Sequence, residues 1–191
     1  IHASLIDAVR LSRAQLTVVP HNDVAAVRGA LAARPGVRSL VLAESVYSVL
    51  GDEAPLTELA EVCAEHGALL VVDEAHGVGV HGPGLVHGHG LAGRPDVLVT
   101  ATLSKSLGSQ GGAVLGPRAV LDHLVNTARP FIFDTGLAPA SAAAALAAAR
   151  VARARPELAG TIRARVTELA RTLAIPAPAG AVLSVPMPSP E

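Results

Sequence analysis

Three short runs, 38–44 (RSLVLAE), 68–73 (ALLVVD) and 96–101 (DVLVTA), are almost unbroken stretches of Val, Leu and Ala framed by polar or turn residues. A strand covered on one face alternates apolar with polar residues. A strand buried on both faces does not, and such strands belong mainly to parallel sheets. Two further runs, 15–19 (QLTVV) and 112–116 (GAVLG), also read as strands. Between and after them the apolar spacing shifts to the helical period, over 3–12, 23–33, 55–66, 117–128, 138–153 and 156–173. In 55–66, Leu56, Leu59, Ala60 and Cys63 recur at i, i+3, i+4 and i+7, Pro55 suits the start and Gly67 the stop. Strands alternating with helices predict an α/β fold, a mostly parallel sheet with helices on both faces. Ligands of such sheets sit beyond the carboxyl ends of the strands.

Composition narrows the function. The chain has 191 residues, half of them hydrophobic but only 2% aromatic, so its apolar content is mostly Ala, Val and Leu. That balance argues against disorder. A net charge of -1 offers no basic field for nucleic acid or an anionic membrane surface. No apolar run approaches the ~18 residues of a membrane-spanning helix. The one cysteine, Cys63, excludes an intrachain disulfide and cysteine-rich zinc sites, and its place on the apolar stripe makes it a core residue. The cytoplasm is the expected compartment. The chain opens on Ile1-His2-Ala3 and ends on Met187-Pro188-Ser189-Pro190-Glu191, which reads as a piece cut from a longer protein. Residues 1–174 form the expected main domain, and Pro-rich 175–191 a linker into the start of another.

Two places on strand ends concentrate chemistry. Asp73-Glu74-Ala75-His76-Gly77 follows ALLVV directly, and Thr102-Leu103-Ser104-Lys105-Ser106-Leu107-Gly108 follows the strand 96–101. Both fall at the same edge of the predicted sheet. Lys105 is the only lysine beside fourteen arginines. A lysine in a low-dielectric pocket becomes an amine nucleophile, a reaction that arginine cannot perform. A solvated surface lysine is the plain alternative, weakened by this exclusive use of Arg elsewhere. A lysine to hold an aldehyde as an imine and an aspartate to pair with a protonated pyridine nitrogen together suggest pyridoxal phosphate (PLP).

Those segments, with His2-Ala3-Ser4-Leu5-Ile6-Asp7, Glu44-Ser45-Val46-Tyr47-Ser48, Gly51-Asp52-Glu53-Ala54-Pro55-Leu56, Lys105-Ser106-Leu107-Gly108-Ser109-Gln110-Gly111-Gly112 and Phe131-Ile132-Phe133-Asp134-Thr135, resemble the α-oxoamine synthase family of PLP enzymes. The likeness runs to about residue 150 and more loosely beyond. It implies the large domain of a fold type I PLP-dependent transferase, truncated at both ends. By position it makes Lys105 the Schiff-base lysine and the base for the substrate's α-proton. Asp73 is then the partner of the pyridine nitrogen, and His76 of the cofactor's phenolic oxygen. Ser48 contacts a cofactor oxygen and Thr102 the phosphate. His2 stacks on the ring or meets the substrate.

The activity implied is decarboxylative condensation of L-alanine with a pimeloyl thioester, on coenzyme A or an acyl carrier protein, for biotin synthesis. Acyl transfer to glycine is the alternative within the family, and a non-catalytic remnant the alternative outside it. A homodimer is implied for the parent enzyme. Two departures stand out. Val49-Leu50-Gly51-Asp52 has Leu50 where the family carries an acid. The family's upstream glycine-rich cofactor segment, and the downstream domain that supplies an arginine for the substrate carboxylate, lie outside these residues, so this stretch alone is not expected to complete the site. His81, His87 and His89 lie in the glycine-rich loop 80–93 without a metal-ligand spacing. A nucleotide-binding domain fails for want of GxxxxGK[ST], and Gly77-Val78-Gly79 lacks the third glycine of GxGxxG.

Overall fold

Leu70 and Val72 are wholly buried while their neighbours Leu69, Val71 and Asp73 are half-buried. Alternation along this one strand therefore separates a sealed face of the sheet from a more open one. In the computed structural model, which describes residues 1–187, the strands are β1 (Leu40–Glu44), β2 (Leu69–Asp73), β3 (Val97–Thr102) and β4 (Gly112–Leu115). Their spatial order is β1-β2-β3-β4; the first three are parallel and β4 is antiparallel to β3. The helices are α1 (Ala3–Ser12), α2 (Val24–Ala32), α3 (Leu56–His66), α4 (Leu85–Gly88), α5 (Arg118–Thr127), α6 (Arg129–Ile132), α7 (Pro139–Ala154) and α8 (Glu157–Thr172).

The sealed face carries Val41, Ala43, Leu70, Val72, Val97 and Val99, packed with Val27 of α2 and with Leu56, Leu59, Ala60, Val62 and Cys63 of α3. Burying each of the largest of these side chains contributes about 1.5–3 kcal/mol. α3 ends because Gly67 turns left-handed (φ 63°) and its N–H caps Ala64 and Cys63. The opposite face is set by register. Glu44 pairs with Asp73, Asp73 with Thr100, and Thr100 with Val114, one row across the carboxyl end of the sheet.

Most predicted elements appear within a residue or two. The run 15–19 is a correction: it forms no strand, and Leu16 and Val18 are exposed at 53% and 83%. Propensity alone cannot make a strand whose N–H and C=O groups have no neighbouring ladder; only Val19 reaches the core. Two single-turn helices were not expected: α4 lies in the loop 80–93, and α6 lies just past the helix predicted over 117–128. Residues 175–187 lie against the loop after β1: the N–H of Ala179 donates to the Gly51 carbonyl at 2.8 Å, and Ser184 Oγ donates to that of Val49. The remainder of the predicted second segment, 188–191, lies outside the described residues. Among the described residues, no helix is long and apolar enough to cross a membrane.

Candidate active site

β2 and β3 deliver the two motifs side by side. Beyond Asp73 the chain turns at once: the Asp73 Oδ1 accepts from the N–H of Ala75 (2.9 Å), and the Glu74 carbonyl accepts from Gly77 and Val78 (3.0 and 3.1 Å). Beyond Thr102 the loop folds back, with the Leu103 N–H donating to the Gly111 carbonyl. The two loops meet where Ser106 Oγ donates to the Val78 carbonyl at 2.7 Å. Gly79 makes that approach possible. Its φ is +81°, and a Cβ there would stand 2.6 Å from Ser106 Oγ. The result is a contact between residues 29 apart in sequence: Lys105 Nζ lies 2.9 Å from His76 Nε2.

Burial, and then the Lys105 cation, push His76 below its ordinary value; Glu44 and Asp73 pull the other way, and His2 adds to the lowering. A neutral imidazole offers Nε2 as the acceptor for the lysine ammonium. His2 thus lies within electrostatic reach of His76. The His2 ring itself caps α1, with Nδ1 accepting from the Ser4 N–H at 3.3 Å. Thr102 Oγ1 shares a 2.7 Å hydrogen bond with Ser104 Oγ. Ser48 is half-buried, and its N–H donates to Glu44 Oε2 at 3.0 Å.

Lys105, His76 and Ala75 open into a cleft of about 320 Å³ whose other walls are Val78, Val80, Leu158, Ile162 and Ala181. The size suits a small-molecule ligand. Nothing in the sequence flagged the α8 residues; an apolar stripe on a helix looks the same whether it faces a core or a ligand. Sequence reasoning also passed over three polar side chains that the structure buries: Glu44, Ser45 and Glu74, all at most 3% exposed. A carboxylate directly after an apolar strand was the available signal. The low-dielectric pocket expected around Lys105 is open here, for the residue is exposed. The loop 80–93 is less solvated than expected. His81 is packed beside Gly180, and His89 Nε2 lies 2.7 Å from Glu53 Oε1. Among the described residues, no three His, Cys, Asp or Glu side chains cluster as metal ligands.

The family profile described as aminotransferase class I and II matches residues 1–191. The chain belongs to this family. Among its curated relatives, the 8-amino-7-oxononanoate synthase of Mycolicibacterium smegmatis is 59% identical over 194 residues, covering 100% of this chain and 51% of that protein. Of solved structures, a serine palmitoyltransferase from S. paucimobilis with bound PLP–myriocin aldimine superposes with a TM-score of 0.79 at 35% identity, over 91% of this chain and 45% of that one. The 8-amino-7-oxononanoate synthase of Francisella tularensis gives 0.77 at 26% identity, over 96% and 54%. The chain thus spans about half the length of the curated relatives it matches. Both solved relatives carry the α/β architecture that the alternating apolar runs predict.

Proposed function

We propose that this chain contributes the cofactor-binding centre of a PLP-dependent C-acyltransferase, an 8-amino-7-oxononanoate synthase, which condenses L-alanine with a pimeloyl thioester and releases CO2 in biotin synthesis. The observation that carries the reading is the 2.9 Å contact of Lys105 Nζ with His76 Nε2 at the mouth of the cleft, in a sequence 59% identical to such a synthase.

The residues fit the cofactor. Asp73 stands at the strand end with Oδ1 held by Ala75, which leaves the second oxygen to face a protonated ring nitrogen. Lys105 lines the cleft, where its Nζ meets the neutral His76 ring. Bound pyridoxal phosphate supplies an electron sink for the charge left when the amino acid's α-carbon loses its proton. Lys105 would be the amine that holds the cofactor's aldehyde carbon and would move the proton at the α-carbon. Asp73 would pair with the ring nitrogen and His76 with the phenolic oxygen. Ser48 would hold a cofactor oxygen and Thr102 the phosphate, and His2 would meet the ring or the substrate. The acyl donor is borne on coenzyme A or an acyl carrier protein, and the parent acts as a cytoplasmic homodimer.

A different α-oxoamine synthase, glycine C-acetyltransferase among them, is the second reading, favoured by the equally good superposition on a serine palmitoyltransferase. Turnover with alanine, glycine and serine against pimeloyl and acetyl thioesters decides between them. Alanine with the pimeloyl donor is the expected pair; preference for glycine or serine rejects it. The remnant alternative is tested by adding pyridoxal phosphate to the chain: a visible absorption band is expected, and its absence favours a non-catalytic piece.

A further inference from the structure

Glu74 sits between two of the proposed cofactor ligands, Asp73 and His76, and points the other way. Alternation along β2 turns Asp73 to the open face and Glu74 into the protein, where it is 1% exposed. Its carboxylate spans three pieces of chain. Oε2 accepts from Ser45 Oγ at 2.7 Å, just past the end of β1. Oε1 accepts from the N–H of Val86 at 2.6 Å, in α4. Between them it fills the space left by Gly77: a Cβ on that residue would overlap the carboxylate. Gly84 is likewise packed on it, with a Cβ there falling 2.7 Å from Oε1. Gly77 closes the turn that starts at Glu74 and carries His76, its N–H bonded to the Glu74 carbonyl. A buried carboxylate is costly unless its oxygens are satisfied, and here the satisfying groups come from two segments that the turn must sit between.

We infer that Glu74 is a positioning residue for the site: its carboxylate ties Ser45 and Val86 together beneath the turn and so holds His76 Nε2 on Lys105 Nζ. It acts through reach. The largest influences on His76 are its burial and Lys105, ahead of Glu44, Asp73 and His2. The two largest influences that lower His76, its burial and Lys105, depend on where the turn lies, so a displaced turn brings His76 back up toward its ordinary 6.5.

The inference draws on the proposed function only through its second readout, the cofactor band. In the cofactor-free chain, the titration of the His76 ring is followed by NMR, assigned by its loss in His76→Asn. Glu74→Gln keeps length and both contacts, the amide oxygen accepting from Val86 and the amide NH2 donating to Ser45; its His76 titration is expected to match that of the unaltered chain. Glu74→Asp keeps the charge but is one methylene too short to span both partners; its His76 titration is expected to move upward, as in Glu74→Ala where that variant folds. On addition of pyridoxal phosphate, the concentration needed for half the visible band is expected to rise roughly tenfold in Glu74→Asp and to be unchanged in Glu74→Gln. Folded Glu74→Asp with an unchanged His76 titration overturns the inference. So does a Glu74→Gln shift as large as that of Glu74→Asp, since charge and not reach would then set the site. Absence of the band in the unaltered chain favours the non-catalytic piece and leaves this inference to the NMR result.

Discussion

Lys105 Nζ lies 2.9 Å from His76 Nε2, and the two residues come from the carboxyl ends of adjacent parallel strands. Neither loop could place its residue alone. The bond between Ser106 and Val78, and the absence of a side chain at Gly79, bring them together.

The lysine's amine cannot be replaced by another cation. Lys105→Ala and Lys105→Arg are both expected to show no visible absorption band with pyridoxal phosphate where the unaltered chain shows one. Arg restores the charge but has no accessible deprotonated nitrogen. A band in either variant would move the covalent attachment elsewhere.

The close approach at Gly79 makes a separate prediction. Gly79→Ala meets Ser106 Oγ and forces a side chain onto a φ of +81°, so it is expected to destabilise the chain by about 1–3 kcal/mol and to weaken the cofactor band. Adding Ser106→Ala removes the hydroxyl contact but leaves the Cβ of residue 106 at 2.7 Å from the new methyl, and the backbone strain, so the double variant is expected to recover only part of the loss. Chemical denaturation of the single and double variants measures this.

Stability should fall on acidification for a stated reason. Burial and Arg163 lower His81, and burial and Lys105 lower His76, from 6.5. The unfolded chain therefore takes up protons below pH 6.5 that the folded chain refuses, and stability is lost as pH falls from there through the folded values. Above that window both states are neutral and the slope vanishes. His81→Gln is expected to show a smaller drop in Tm between pH 7.5 and 5.5 than the unaltered chain; an equal drop rejects the assignment to His81.

Cys63 is expected to be inert. It is wholly buried on α3, and burial, followed by the nearby Asp96, pushes its thiol up to about 11. A thiol reagent at pH 8 should modify it only as fast as the chain unfolds, since the thiolate is the reactive form. In the same core, Leu70→Ala, at a position with no exposure, is expected to cost about 2–5 kcal/mol.

The sheet was legible because β1, β2 and β3 are nearly continuous apolar runs, although only one of their faces is fully sealed here. The run 15–19 carries the same signature, but strand formation depends on a neighbour, which no local pattern records. Lys105 and Asp73 could be read from chemistry and from their place after strands. Glu74 could not be separated from Asp73 in that way: both are acids at one strand end, and only the pleat decides which lies on the open face of the sheet and which is buried. Leu158 and Ile162 reach the cleft through a chain path of more than fifty residues after Lys105, so their role is a property of tertiary packing.

Because Glu44, Asp73, Thr100 and Val114 stand in one row, slipping β2 by a single residue against its neighbours would turn Val72 to the ligand and bury Asp73. Strand pairing in this chain is thus also the step that decides which acid is offered to chemistry. The heavily apolar sealed face, which tolerates no carboxylate except one with its hydrogen bonds in place, acts as the proofreader of that alignment.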